Sequence, residues 1–247
     1  MCIRDRPESD LTDGEGNVIN IATLLPGGVN HHLFLEQLDK YVAINQDLPK
    51  VNGNPIPVSF RFMPEMSRGN SRWYKLCTPE QYKTLWVVAF NYLKDRGCNN
   101  LLWHFNPNDT DSATNEEFGY LEYYPGHDYV DICGRNVNTD DYHMGENAMN
   151  SMKHAIEIAA DADKLVAISQ MNSYKNNGDW DGNGINEVEN GEPASIQNYW
   201  TQVWYNRIHT QGQLLNKIAF SCAWKNESVN NFFPVSYTHL TLPTIYS

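Results

Sequence analysis

The sequence lacks any long apolar run, and no segment approaches the roughly 18 consecutive apolar residues of a membrane-spanning helix. Basic residues are also scarce, since 18 Lys and Arg stand against 30 Asp and Glu, giving a formal net charge of −12. A chain this acidic repels phosphate backbones and anionic lipid. We therefore expect neither nucleic acid nor an anionic membrane as its partner.

Cysteine is sparse as well, with five residues in 247 and no paired spacing, so neither a zinc motif nor a disulfide framework is indicated. His31, His32 and His104 have no partner at metal-ligand spacing and are interpreted as core or solvated side chains. A Gly-rich phosphate-binding turn is absent after every predicted strand, which argues against a dinucleotide-binding fold.

Aromatic residues, in contrast, are abundant: seven Trp, fourteen Tyr and nine Phe. With 41% hydrophobic residues, the chain can form the core of one domain. An acidic chain rich in Trp and Tyr is suited to a neutral ligand, such as a sugar stacked on aromatic rings. The same composition also fits an acidic soluble protein with no such ligand.

Apolar periodicity predicts an alternation of strands and helices. The predicted strands are 58–63, 100–105, 129–134, 164–169 and 218–223, and the predicted helices are 31–48, 78–96, 148–160 and 196–209. Short strands alternating with helices of this length indicate βαβ units and a parallel sheet. The fold class is therefore α/β.

Residues able to carry chemistry come directly after predicted strands. They are Glu65, Asn106, Gln170 and Trp224. In (β/α) barrels the site lies at the C-terminal ends of the strands, so this regularity favours a barrel. Arg61 lies inside the first of these strands, where its charge needs a partner, and Glu65 is the nearest carboxylate. A purely structural Arg–Glu pair is the alternative.

Six segments carry a resemblance to a known family: PVSFRFMPEM, TPEQYKTLW, NNLLWHFNPND, YLEYYPGHDYVDICG, KLVAIS and FSCAWKN. In this order and spacing they resemble glycoside hydrolase family 26, whose members are mostly endo-β-1,4-mannanases, with others acting on β-glucan or β-1,3-xylan. The resemblance covers about residues 25–234. It implies a partial (β/α)8 TIM barrel, with the five predicted strands as strands four to eight, and chemistry that requires no cofactor.

The resemblance also implies site residues. Glu65 matches the acid/base glutamate of the family, although Pro64 stands where the family usually has His. Gln170 occupies the position of the nucleophile glutamate. Trp73 and Tyr74 fall near the aromatic cluster that follows the acid/base residue. Among further substrate-binding positions, Trp224 matches the aromatic residue that stacks under the sugar, Lys225 stands where Arg is common, Tyr142 lies close to a position usually held by Tyr, and Arg61 and Asn106 complete the set.

Gln170 is the largest departure from the family. A retaining glycosidase needs two carboxyl groups about 5–5.5 Å apart, one acid and one nucleophile, and an amide is a poor nucleophile. Three readings follow: a non-catalytic carbohydrate-binding relative, a substitute carboxylate such as Glu187 or Glu189, or a sequencing error at codon 170. Two classes of function therefore remain open: an enzyme and a carbohydrate-binding pseudoenzyme. In both cases the expected partner is β-mannan or a related polysaccharide.

The segment 179–190 resembles the first half of a calcium-binding loop. Positions one, three, five and nine of this segment carry oxygen-bearing side chains. Position twelve lacks the Glu that closes a complete calcium-binding loop. The candidate ligands for a structural Ca²⁺ are Asp179, Asp181, Asn183 and Glu187. A polar turn loop without metal is the alternative.

Both ends look foreign to the fold. Residues 1–6 and 235–247 resemble translated adapter sequence, so we expect the native barrel segment to span 7–234 and strands one to three to lie upstream. The family resemblance implies that the protein is secreted, periplasmic or on the cell surface.

Overall fold

The computed structural model describes residues 2–4, 19–66, 77–107, 120–139, 146–173 and 217–223. Its main feature is a six-stranded, wholly parallel sheet. Taken across the sheet, the strands are β1 (Cys2–Arg4), β4 (Val58–Arg61), β5 (Leu101–Phe105), β6 (Ile132–Thr139), β7 (Leu165–Ser173) and β8 (Ile218–Ala223). A small antiparallel pair, β2 (Lys50–Val51) with β3 (Asn54–Pro55), precedes β4. The strands from β4 onward form a curled half-barrel.

The helices run between these strands, as βαβ connections require. They are α1 (His31–Gln46), α2 (Pro79–Asp95), the single turn α3 (Tyr120–Tyr123) and α4 (Glu146–Ala162), with 3-10 turns at Ile21–Leu24 and His127–Tyr129. Within the described residues, no helix is long and apolar enough to cross a membrane.

Helix α2 begins where its sequence predicts. The Thr78 hydroxyl accepts from the backbone N–H of Gln81 (3.3 Å), and the Gln81 side chain accepts from the backbone N–H of Thr78 (2.9 Å). Pro79 occupies the first turn, where no N–H donor is needed. This capping box satisfies two backbone donors at the helix start and fixes the direction in which α2 leaves the loop.

The core lies between the sheet and helices α1 and α2. Fully buried Trp86 of α2 contacts Phe62 and Trp103 edge-on, each with its ring centroid 5.6 Å away. Phe60 meets Trp103 at 5.1 Å, also edge-on. Because edge-to-face pairs are favoured by the charge distribution of aromatic rings, this cluster locks α2 onto β4 and β5.

The predicted parallel α/β architecture is confirmed, and beyond shifts of one or two residues at element ends it differs from the prediction in three ways. The strand predicted at 129–134 begins at Ile132, because 127–129 form a 3-10 turn and the Asp131 side chain accepts from the backbone N–H of Trp103 (2.8 Å). Strand β7 extends to Ser173 because β6 continues beside it, so Gln170 lies within a strand and not after one. A sixth strand, Cys2–Arg4, pairs with Ser59–Arg61 and occupies the edge that five strands would leave open.

The predicted helix at 196–209 lies outside the described residues. That residues 1–6 and 235–247 are foreign to the native protein stays a prediction.

Candidate active site

Five polar side chains are buried together where β4 to β7 run toward the C-terminal edge of the sheet. Each has at most 7% of its surface exposed: Arg61, Glu65, Asn106, Asn136 and Gln170. Because neighbouring parallel strands end at the same edge, residues far apart in sequence meet there. Buried polar groups usually have hydrogen-bond partners, and the contacts below show which of these groups find one within the described residues.

Glu65 sits on a tight turn that follows β4. Met63 and Glu65 both adopt positive φ, at 44° and 61°, in the left-handed region that costs a non-glycine residue about 1 kcal/mol or more. The turn is held by the backbone N–H of Glu65, which donates to the Asn106 carbonyl (2.7 Å), and by the Tyr82 hydroxyl, which donates to the Met63 carbonyl (3.0 Å). The strain is thus supported by contacts to β5 and α2, and the carboxylate is placed at a fixed point.

Asn136 of β6 joins Arg61 to Glu65. Its Nδ2 donates to Oε1 of Glu65 (3.0 Å), while its Oδ1 accepts from Nδ2 of Asn106 (2.9 Å) and from a terminal nitrogen of Arg61 (3.5 Å). Arg61 also donates to Oδ1 of Asn106. Since Arg61 has only donors, Oδ1 of Asn136 must face it, and this fixes the amide orientation that presents Nδ2 to the carboxylate.

Gln170 lies next to Asn136 on the neighbouring strand, since these two residues are Cα partners in the β6–β7 ladder. Its side chain is buried, and within the described part of the chain its Oε1 atom has no hydrogen-bond partner. Leaving a buried amide oxygen unsatisfied costs about 1–3 kcal/mol. A ligand hydroxyl donating to this atom would remove that cost.

A second polar layer underlies the first. His104 is fully buried, two residues before Asn106 on β5, and its ring nitrogens contact Ser59 of β4 and Ser169 of β7. Burial, and then the positive charge of Arg61, lower the pKa of His104 well below its usual range. The imidazole is therefore neutral at neutral pH.

The structure brings together four residues predicted from the sequence: Arg61, Glu65, Asn106 and Gln170. The predicted aromatic and basic positions Trp73, Tyr74, Tyr142, Trp224 and Lys225 lie outside the described residues. So do the candidate calcium ligands Asp179, Asp181, Asn183 and Glu187. In the described ranges, no group of three or more His, Cys, Asp or Glu side chains is placed to hold a metal ion.

Sequence reasoning did not identify Asn136 or the serines that contact His104. Asn136 lies two residues beyond the strand predicted at 129–134, much as Asn106 lies one residue beyond the strand predicted at 100–105. That parallel was the available signal. Ser59 and Ser169 offered none, because a single Ser inside an apolar strand is common and carries no chemistry by itself.

A half-barrel with a buried carboxylate and amides at the C-terminal strand ends defines the class as a (β/α)-barrel protein with its site in the usual place for that fold. The chain belongs to glycosyl hydrolase family 26, because the family model matches residues 19–221. The family resemblance seen in the sequence is thereby confirmed.

Characterised relatives and solved structures agree with this assignment. A mannan endo-1,4-beta-mannosidase of Bifidobacterium adolescentis is 29% identical over 160 residues, covering 60% of this chain and 15% of that protein. The Bacillus subtilis protein of the same name is 27% identical over 172 residues, covering 65% and 43%. The structure of a GH26 beta-mannanase from Bacteroides ovatus matches with a TM-score of 0.62 and 28% identity, covering 92% and 58%. The chain thus spans less than two thirds of each of these relatives.

Proposed function

We propose that this chain is a member of family 26 that recognises β-1,4-mannan. With glutamine at position 170, it binds the polysaccharide without cleaving it. The observation that carries the proposal is the buried network at the strand ends, in which Asn136 bonds to Glu65 and lies beside Gln170. By the family resemblance, Glu65 and Gln170 match the two carboxyl positions of the family's mechanism, so this site would have one carboxylate and one amide.

The chemistry follows from the residue types. In a retaining glycosidase, one carboxylic acid protonates the leaving oxygen and a second carboxylate attacks the anomeric carbon. Glu65 suits the acid/base role, because its carboxyl group is buried and its position is fixed by hydrogen bonds to two strands. Gln170 cannot supply the nucleophile, since its amide carries no negative charge. The two-carboxylate mechanism requires no cofactor.

The orphaned Oε1 of Gln170 supports binding. A sugar hydroxyl can donate to this buried acceptor, and a neutral polysaccharide incurs no repulsion from a chain of net charge −12. The two curated relatives are both named as mannan endo-1,4-beta-mannosidases, which favours β-mannan over β-glucan and β-1,3-xylan. Because a polysaccharide of this size does not cross membranes, we expect the protein to act outside the cytoplasm.

The test is Gln170→Glu, compared with the unchanged chain on β-1,4-mannan, β-glucan and β-1,3-xylan. We expect the unchanged chain to bind mannan in affinity electrophoresis and release no reducing sugar. Restoring the second carboxylate should raise hydrolysis by several orders of magnitude, since removing one member of such a catalytic unit costs that much. The matched control is Glu65→Gln in the Gln170→Glu background, which should abolish the gain.

Both proteins should also be assayed with the upstream strands of an intact relative grafted on, because a catalytic site must be held to about half an ångström. Hydrolysis by the Gln170 form with no gain from Glu would place the nucleophile elsewhere, and Glu187 and Glu189 would be substituted next. If neither form binds any of the three polysaccharides in either context, the proposed function is wrong.

A further inference from the structure

A hydrogen-bonded chain of three side chains runs beneath the site and crosses four strands. Oγ of Ser59 on β4 lies 3.0 Å from Nδ1 of His104 on β5, and Nε2 of His104 lies 2.7 Å from Oγ of Ser169 on β7. His104 and Ser169 are fully buried. The bond from His104 to Ser169 is unusual because it passes over the intervening strand β6.

Gly134 of β6 makes this crossing possible. A Cβ atom at this position would lie 2.0 Å from Oγ of Ser169 and 2.2 Å from Nε2 of His104, closer than real Cβ contacts allow. Both clashing atoms belong to the hydrogen bond itself. The absence of a side chain at Gly134 therefore provides the space that the His104–Ser169 bond occupies.

Ser169 is also the extra residue of an irregularity in β7. In the β6–β7 ladder, Arg135 pairs with Ile168 and Asn136 pairs with Gln170, so Ser169 has no Cα partner on β6. An inserted residue of this kind is a β-bulge, which turns the side chains that follow it and is common next to functional sites. Without the bulge, Asn136 would face Ser169 in place of Gln170.

We propose that His104 is a positioning residue, which holds the Ser169 bulge in place and thereby sets Gln170 beside Asn136, the residue that bonds to Glu65. This proposal rests on the proposed function in one respect: holding a sugar is the role that we assign to Gln170 in this position. The connection is short, because Ser169 is bonded to His104 and is covalently adjacent to Gln170. The ring is further confined by Phe220 of β8, which meets it edge-on at 6.0 Å.

The neutral form of His104 suits this role. A neutral imidazole has one N–H donor and one acceptor nitrogen, so one serine accepts and the other donates, and both contacts are satisfied. The charged form would offer two donors and would place a second positive charge near Arg61 in a buried site. The two hydrogen bonds to the serines thus require a histidine that its surroundings keep neutral.

The test follows the side-chain amide of Gln170 by ¹H–¹⁵N NMR of the whole chain, with that resonance assigned by its loss in Gln170→Ala. We expect His104→Phe and Ser169→Ala to shift the resonance, because each removes the bond that holds the bulge. Ser59→Ala is the matched control, since it deletes the same hydroxyl group at the other ring nitrogen and leaves the His104–Ser169 bond in place. It should leave the resonance nearly unchanged.

Affinity for mannohexaose supplies the second measurement. His104→Phe should weaken binding about three- to tenfold, and His104→Phe with Gln170→Ala should bind no more weakly than Gln170→Ala alone. A merely structural histidine would give additive losses. Should His104→Phe fail to fold, Ser169→Ala against Ser59→Ala provides the same comparison.

Two outcomes would overturn the proposal: a Gln170 resonance that stays in place in folded Ser169→Ala and His104→Phe, or one that moves equally in Ser59→Ala. An unchanged chain that binds no glycan would contradict the proposed function, while the NMR comparison would still decide the role of His104.

Discussion

The two faces of β4 and β5 differ sharply although they belong to the same strands. One face carries Phe60, whose ring meets Tyr41 of helix α1 edge-on, and Trp103, which packs against Trp86 of helix α2. The opposite face carries Ser59, Arg61 and His104, which are tied to polar groups on other strands. Because successive side chains of a strand point in opposite directions, one short segment builds both faces.

The difference concerns how each face specifies its geometry. An aromatic core gains free energy from area removed from water, and it tolerates shifts that keep the rings packed. A buried polar layer is stable only if each donor meets its acceptor, so it admits few arrangements. We infer that the apolar face mainly stabilises the sheet, whereas the polar face fixes the distances within the site.

The largest expected effect is on the apolar face. Trp86→Ala should lower the free energy of unfolding by about 3–5 kcal/mol, because it leaves a cavity among Phe62, Trp103 and the other rings that surround Trp86. Urea denaturation followed by circular dichroism measures this. The matched control is Trp86→Phe, which keeps an aromatic ring and removes the bond from Nε1 to the Tyr129 carbonyl (2.9 Å).

The control should cost less than the alanine variant. Equal losses in the two variants would mean that the hydrogen bond, and not the packed ring, supplies most of the stabilisation. That result would contradict the division between the two faces.

The same contrast explains how much of each face can be predicted from the sequence. Alternating apolar residues and the Thr78-Pro79 start of α2 identify the strands and the helix, because these signals are local. Glu65, Asn106 and Gln170 could be proposed as site residues from their positions near strand ends. The Asn136 bridge and the Ser169 bulge could not, because they depend on the register between β6 and β7, which no local pattern records.

The next prediction concerns the polar face and is a pH effect of intermediate size. Burial and the charge of Arg61 lower the pKa of His104 in the folded protein, so the unfolded chain binds a proton more readily. The contribution to stability is complete above the ordinary pKa of His, near 6.5, and is lost as pH falls below it. Between pH 6.5 and 5 the free energy of unfolding should fall by at most about 1.4 kcal/mol per pH unit from this one group.

Urea denaturation at a series of pH values measures this slope. His104→Phe should flatten it, whereas His32→Phe, at an exposed position of α1, should not. A slope unchanged by His104→Phe would show that other groups account for the acid sensitivity.

The smallest effect is expected where similar polar contacts lie at the surface. Asp39 accepts a hydrogen bond from the Tyr92 hydroxyl (2.7 Å) and forms an ion pair with Nε of Arg96 (3.5 Å). The guanidinium group of Arg96 also lies over the Tyr92 ring, 3.3 Å from its centroid. The side chains of Arg96 and Asp39 are 41% and 58% exposed, so water and salt screen the charges. Asp39→Asn should therefore cost about 0.2–1 kcal/mol, and less in 1 M NaCl.

Its buried counterpart is Asn136→Ala, which removes polar contacts from the site. Glu65, Asn106 and Arg61 each lose one hydrogen-bond partner in this variant. That variant should cost about 1–3 kcal/mol with little dependence on salt, because desolvated groups cannot turn to water for replacement bonds. Measuring both variants by urea denaturation at low and high salt compares contacts that differ chiefly in burial. Equal losses with equal salt dependence would show that burial does not strengthen the polar layer, and the idea that this layer fixes the geometry of the site would then lose its energetic basis.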